Sequence, residues 1–234
     1  MTWKPLPIGV DDFGKLIEKG YYFIDKTPFI KELIDMKSEV NLFTRPRRFG
    51  KTLNMSMLRY FFEMGYEKNA ESFELSFEML KKVMSGEFLR HWKEVEESGK
   101  LTDAQKERYL RMRDVKGSDA DYADALKFLS ECLNACCGSS VIILVDEYDV
   151  PLENAYFAGF YEEMVSVIRS LFESALKANE NLEFAVVTGC LRISKESIFT
   201  GLNNLNINSI TTELYGEYFG FTPCEVTEML DFYG

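Results

Sequence analysis

The sequence predicts an α/β fold with a mostly parallel sheet covered by helices on both faces. Three observations predict it. Val141-Ile142-Ile143-Leu144-Val145 is an unbroken apolar run rich in β-branched residues, the pattern of a strand buried on both sides. Phe184-Ala185-Val186-Val187-Thr188, closed by Gly189, is a second such run. Amphipathic helical segments separate these strands, and strands alternating with helices argue for a parallel sheet.

The elements follow in order. Asp11 or Asp12 caps a helix over 13–19, which Gly20 stops. Residues 21–24 are aromatic and β-prone. Thr27-Pro28 opens a helix over 29–36, with Phe29, Leu33 and Met36 on one face. Residues 40–44 read as a strand, and 53–64 as a helix with Leu53, Met57, Tyr60, Phe61 and Met64 in a stripe. The charged middle, 71–116, reads as solvated helices over 81–93 and 103–113, joined near Ser98-Gly99. Residues 122–135 form one strongly amphipathic helix, broken by Gly138-Ser139-Ser140, and 160–177 form another. A last strand is expected within 207–214, and Thr222-Pro223 begins a final helix. The organisation that follows is a helical segment at 1–38 packed on a domain at 39–234, with a helical insert at about 71–116.

Composition narrows the function classes. With 46% hydrophobic residues among 234, the chain has material for a core. A formal net charge of -11 disfavours a general nucleic-acid binder, so any phosphate-facing surface must be local. The five cysteines, Cys132, Cys136, Cys137, Cys190 and Cys224, follow no disulfide or zinc spacing, and the one histidine is His91. They are expected to be reduced and mostly buried. No apolar run is long enough for a membrane helix, and the N-terminus lacks the apolar centre of a signal peptide, so a cytoplasmic location is the default.

Gly50-Lys51-Thr52 supplies a local phosphate surface. Gly-Lys-[Ser/Thr] arises by chance in roughly one chain in ten of this length, so its position between a strand and an amphipathic helix is what matters. Backbone N–H groups at a helix N-terminus converge on phosphate oxygens, helped by the helix dipole. Gly50 lets the backbone approach closely, Lys51 reaches the β- and γ-phosphates, and the Thr52 hydroxyl suits Mg²⁺. The general motif has glycine where this chain has Arg45. Arg45, Arg47, Arg48 and Lys51 crowd positive charge into one turn, an anion trap in an acidic chain. The competing interpretation is a basic surface turn.

The strand over 141–145 runs into Asp146-Glu147, the form of a Walker B element. Its first carboxylate helps hold Mg²⁺, usually through water, and the glutamate polarises the attacking water. Taken alone, an acidic strand end is common. Asp149 is assigned a structural role ahead of Pro151. Thr188, at the tip of the second buried strand, is placed to sense the γ-phosphate or lytic water. Arg192 has two readings, a phosphate contact or a surface salt bridge. Cys190 reads as a packed thiol, since no His/Asp partner for a nucleophile is visible.

Several stretches together resemble the bacterial AAA-ATPase-like proteins: Arg45-Pro46-Arg47-Arg48-Phe49-Gly50-Lys51-Thr52-Leu53-Asn54; Ile143 through Asp146-Glu147-Tyr148-Asp149 to Leu152; Thr188-Gly189-Cys190-Leu191-Arg192 and onward to Gly201; Pro7-Ile8-Gly9 with Tyr22 to Thr27; and Glu217-Tyr218-Phe219-Gly220-Phe221. The resemblance spans nearly the whole chain. It implies a P-loop NTPase fold of three αβα layers, additional-strand type, binding ATP with Mg²⁺, and in that family the arginine-rich loop is the normal form. Many relatives carry a C-terminal nuclease-like domain of the PD-(D/E)xK type; residues 1–234 show no nuclease motif. Relatives also have a strand between the P-loop helix and the insert. Residues 67–93 show no clear strand pattern, leaving a short strand near 73–77 or a shortened sheet as the two readings.

The candidate catalytic residues are therefore Glu147, Lys51, Thr188 and Arg192. Arg47, Arg48, Phe49, Gly50, Lys51, Thr52 and Leu53 would hold the nucleotide, and Thr52 and Asp146 the Mg²⁺. Three functions compete: an ATP hydrolase; a nucleotide-binding switch with little turnover, signalling to a nuclease or other effector; and a DNA-associated accessory using Arg45, Arg47 and Arg48 on the phosphate backbone. A GTPase is disfavoured because no Asn-Lys-x-Asp occurs, and a dinucleotide-binding dehydrogenase because no Gly-x-Gly-x-x-Gly occurs. A small-molecule kinase stays open. For the base, Tyr22, Phe23 and Phe29 are candidates, with core packing as the alternative for each.

Overall fold

The structure is a computed structural model that describes residues 4–62, 77–158, 160–177, 179–190, 198–199 and 201–234. Helices α1 (Phe13–Glu18) and α2 (Pro28–Met36) precede strand β1 (Val40–Thr44) and helix α3 (Lys51–Phe62). Then come α4 (Phe77–Arg90), α5 (Trp92–Ser98), α6 (Asp103–Arg113), α7 (Asp119–Ala123) and α8 (Ala125–Cys137). Strand β2 (Val141–Val145) is followed by α9 (Val150–Ala158), α10 (Tyr161–Leu176) and β3 (Leu182–Gly189). The chain continues through β4 (Leu205–Asn208), a 3-10 turn (Gly216–Tyr218) and α11 (Pro223–Tyr233).

The four strands pair in the order β2-β3-β1-β4, all parallel. One strand, β3, therefore lies between the strand that enters the Gly50-Lys51-Thr52 loop and the strand that ends in Asp146, which is the additional-strand arrangement. Alternation assigns the two faces. Val40, Leu42, Ile143, Ala185 and Val187 share a core with Met164, Ile168, Phe172 and Ala175 of α10. Phe43 and Val186 point the other way, into a cluster with Phe29, Leu33, Met55 and Leu58 of α2 and α3. The sheet is thus the middle of three layers, as in P-loop NTPases.

Local chemistry explains most boundaries. Asp12 caps α1 by accepting from the Lys15 N–H at 2.7 Å. Thr102 with Gln105 and Thr222 with Glu225 form capping boxes at α6 and α11, and Gly138 ends α8 at φ 74°.

The structure corrects several expectations. The helix expected over 122–135 is two helices meeting at Asp124, because Ser118 caps α7 with Asp121 and Arg108 binds both Asp121 and Asp124. The helices of the charged middle are not simply solvated. Phe88, Val95, Tyr109 and Met112 are buried with Tyr122 and Phe128 in a core of their own. Helix α9 has no counterpart in the pattern reading. Strand β4 stops at Asn208 because Ser209 and Thr212 close a turn, with the Thr212 N–H donating to the Ser209 carbonyl at 2.9 Å. The strand considered near 73–77 lies outside the described residues apart from Phe77, which opens α4.

Candidate functional site

Because the sheet is parallel, the C-terminal tips of all four strands share one edge. Register places Thr44 beside Gly189 and Val145 beside Val187, so Thr188 sits between Phe43 of β1 and the start of the Asp146 turn. The loop leaving β1 first continues the ladder, with the Arg45 N–H donating to Gly189 O at 3.1 Å. It then turns through Arg48 (φ 69°) and Gly50 (φ 76°) into α3. A Cβ on Gly50 would meet nothing within 4 Å, so glycine is required there for its backbone angle. Arg48 adopts the same left-handed region with a side chain, a conformation that costs about 1–3 kcal/mol.

Lys51 is 4% exposed. Its ammonium donates to Arg45 O at 2.9 Å, Pro46 O at 3.0 Å and Cys190 Sγ at 3.3 Å. Those three bonds match its three protons, so the loop curls around its own lysine. Thr52, one residue on, is exposed. It lines a cleft of about 600 Å³ that Asp146 also lines. The cleft runs between α3 and the outer edge of β2, with further walls from the α4–α5 junction and the end of α8. Lys51 touches Cys190, and Asp146 accepts from the hydroxyl of Thr188 two residues earlier. The loop and the acidic turn are therefore neighbours at the tip of β3.

Glu147 is exposed, has φ 52°, and donates its N–H to Thr188 Oγ1 at 3.3 Å. Tyr148 and Asp149 turn inward. The Tyr148 N–H donates to Thr188 O at 3.0 Å, and Asp149 Oδ2 accepts from the Cys190 N–H at 2.8 Å. Asp149 is 4% exposed, in keeping with its assigned structural role. Gly189 is required by space, since a Cβ there would lie 2.5 Å from the Tyr148 ring.

A family model described as predicted AAA-ATPase matches residues 7–199. The chain belongs to the predicted AAA-ATPase family. The match includes β1, the loop, the acidic turn and β3, whereas β4 and α11 lie beyond it. The chain is also similar to a protein of Azotobacter chroococcum mcd 1 described as an uncharacterized protein in the vnfD 5′ region. The two are 30% identical over 239 residues, covering 97% of this chain and 45% of the relative, so the chain spans about half that protein's length. No solved structure matches the chain.

Membership in the AAA-ATPase-like family supports nucleotide binding by a P-loop domain, and the donor set here fits a magnesium nucleotide. A hydroxyl and a carboxylate opening on one cleft are hard oxygen ligands. Among the described residues no group of three or more His, Cys, Asp or Glu forms a metal cage. No helix of the described residues is long and apolar enough to cross a membrane.

The anion trap is smaller than the sequence suggests. Arg45 is 3% exposed, and its guanidinium donates to Asn208 O at 2.6 Å and Thr44 O at 3.1 Å while lying 5.0 Å from the centre of the Phe219 ring. Burial lowers its pKa. It joins β1 to β4 and is buried, so only Arg47 and Arg48 of the three arginines are exposed. Phe49 and Leu53 are half-buried. Arg192 lies outside the described residues. Phe29 is 1% exposed among Phe43, Tyr215 and Phe219, which makes it core and removes it as a base contact. Phe23 packs on Phe13, and Tyr22 on Phe232 and Tyr233.

Sequence reasoning gave no role to the segment Glu217-Tyr218-Phe219-Gly220, which holds the loop from behind. The Gly220 N–H donates to Phe49 O at 3.1 Å, and Asn54 Nδ2 donates to Tyr218 O at 2.8 Å. Lys26 Nζ donates to Glu217 O and to Glu225 Oε1, each at 2.5 Å. In the sequence the one hint was a glycine set between Phe219 and Phe221; the structure gives its reason, φ 82° and the Phe49 ring 3.1 Å from where a Cβ would stand.

Proposed function

We propose that this chain binds ATP with Mg²⁺ at the strand tips and hydrolyses it. One observation carries the reading: Lys51, Thr52, Asp146 and Glu147, drawn from two distant stretches, lie around the tip of β3 at one edge of a parallel sheet. Lys51 would leave a loop carbonyl for the β- and γ-phosphate oxygens, replacing neutral partners with charged ones. Thr52 and Asp146 would hold Mg²⁺, which supplies charge neutralisation at the phosphates. Glu147 would orient a water for in-line attack at the γ-phosphorus and accept its proton as the bond to the ADP oxygen breaks, giving ADP and inorganic phosphate. Cytoplasmic operation belongs to the same proposal.

A second reading, a nucleotide-binding switch with little turnover acting on a nuclease or other effector, is favoured by the ties of Arg45, Phe49 and Asn54 to residues 218–220. Any rearrangement of the loop would pull on that segment. An accessory role on DNA rests on Arg47 and Arg48 alone.

Calorimetry with an ATP analogue and Mg²⁺ tests the site. Lys51→Ala is expected to weaken binding about a hundredfold or more, roughly 3 kcal/mol, and unchanged affinity rejects nucleotide binding here. Glu147→Gln should retain binding and stop phosphate release. Phosphate release by Glu147→Gln at the wild-type rate removes Glu147 from the chemistry, and a wild type that binds without releasing phosphate selects the switch.

A further inference from the structure

The contacts of Thr188 point to a task other than reading phosphate. Thr188 is 1% exposed at the tip of β3. Its hydroxyl oxygen accepts the Glu147 N–H at 3.3 Å, and its own proton goes to Asp146 Oδ1. A hydroxyl has one proton, so while that bond stands Thr188 has none to give a phosphate oxygen. Its main-chain carbonyl accepts from the Tyr148 N–H at 3.0 Å. Three consecutive residues, Asp146, Glu147 and Tyr148, are thus fastened to one residue of the neighbouring strand. The β2–β3 pairing itself ends at Val145 and Val187. Asp146 and Glu147 are exposed, and Glu147 holds a left-handed angle that an unrestrained glutamate avoids.

We propose that Thr188 is the positioning residue of the metal carboxylate. By occupying one oxygen of Asp146 it sets that side chain's rotamer and leaves the second oxygen for a divalent cation or a water bound to it. By accepting from Glu147 N it keeps the glutamate's backbone turned as the chemistry requires. Partners that orient a ligand carboxylate in this way commonly matter nearly as much as the ligand itself. The inference rests on the magnesium-nucleotide reading above.

The test is the magnesium increment, the ratio of affinities for a non-hydrolysable ATP analogue with and without Mg²⁺, measured by calorimetry on the whole chain. Thr188→Val, nearly isosteric, is expected to cut the ratio about tenfold, and Thr188→Ser to restore most of it. In an Asp146→Asn background, Thr188→Val should subtract nothing further, because the two act through one carboxylate. Thr188→Ala, judged by the same ratio, serves if Thr188→Val does not fold, with melting temperatures recorded for each. An undiminished ratio in the variant lacking the hydroxyl, or a loss that adds to that of Asp146→Asn, overturns the proposal. Failure of the functional reading looks different: wild type would then show no analogue binding sensitive to Lys51→Ala, which overturns both.

Discussion

Around α4, α5, α6 and α8 the chain buries Phe88, Tyr109, Met112 and Phe128 against one another, and ties the outside with Arg108 between Asp121 and Asp124. Around the strand tips the holding contacts are main-chain bonds, one threonine hydroxyl and a curled lysine, while Thr52, Asp146 and Glu147 face outward. The helical cluster gains stability from apolar burial, which is non-directional and has one best arrangement. The tips use polar contacts that can be exchanged for others at little cost. On the proposed reading the tips release Lys51 to a ligand, which a lysine enclosed in an apolar core could not do.

That contrast can be broken at either end. The largest effect is expected from Phe88→Ala, which empties a 1% exposed site between Tyr109 and Phe128. Stability should fall by about 3–5 kcal/mol, with nucleotide affinity retained in the fraction that stays folded. Denaturant unfolding and calorimetry check the pair of outcomes, and a loss of affinity in folded protein erases the division between the two regions.

Gly189→Ala should be smaller in stability but felt at the site. The added methyl would stand 2.5 Å from the Tyr148 ring and 3.0 Å from Asp149 Oδ1, so the turn carrying Asp146 and Glu147 must shift. We expect a loss of about 1–3 kcal/mol together with weaker binding of the ATP analogue. Unaltered affinity would show that Asp146 and Glu147 keep their places when Tyr148 and Asp149 make room for the methyl.

The smallest effect is a pH dependence behind the loop. Burial works to raise the Glu225 pKa, but the bonds from Lys26 and the Thr222 N–H outweigh it and hold the carboxyl below its usual range. A depressed carboxyl contributes stability above its unfolded pKa, about 4.3, and loses it as pH falls through that value to the folded one. The melting-temperature gap between wild type and Glu225→Gln, worth about 1 kcal/mol or less, should therefore shrink below pH ~4. A gap that stays constant with pH would count against the Lys26 pairing.

Much of this was legible beforehand, and for physical reasons. Strands β2 and β3 were legible as apolar runs because a parallel sheet is covered on both faces, but β2 lies at the edge of the described sheet and of its five residues only Ile143 is buried, so its expected burial on both sides is corrected. The loop and the acidic turn were legible because phosphate and magnesium chemistry needs particular residue types in a strand–loop–helix setting. Arg45 was misjudged because a guanidinium next to two others resembles an anion site until its partners, Asn208 O and the Phe219 ring, are known. The break at Asp124 was invisible because the deciding partner, Arg108, comes from another helix.

What the sequence by itself determined was the kind of layer each segment builds and which residue types are candidates for a phosphate site, since periodicity and motif are local properties of the chain. Only the tertiary structure decided that Lys51 is turned into its own loop, that Thr188 holds Asp146, and that residues 217–220 brace the loop from behind. Apart from the Lys51 bonds to Arg45 and Pro46, those contacts join residues far apart in the chain, and their geometry exists only once the parallel sheet has brought its four strand tips to a single edge.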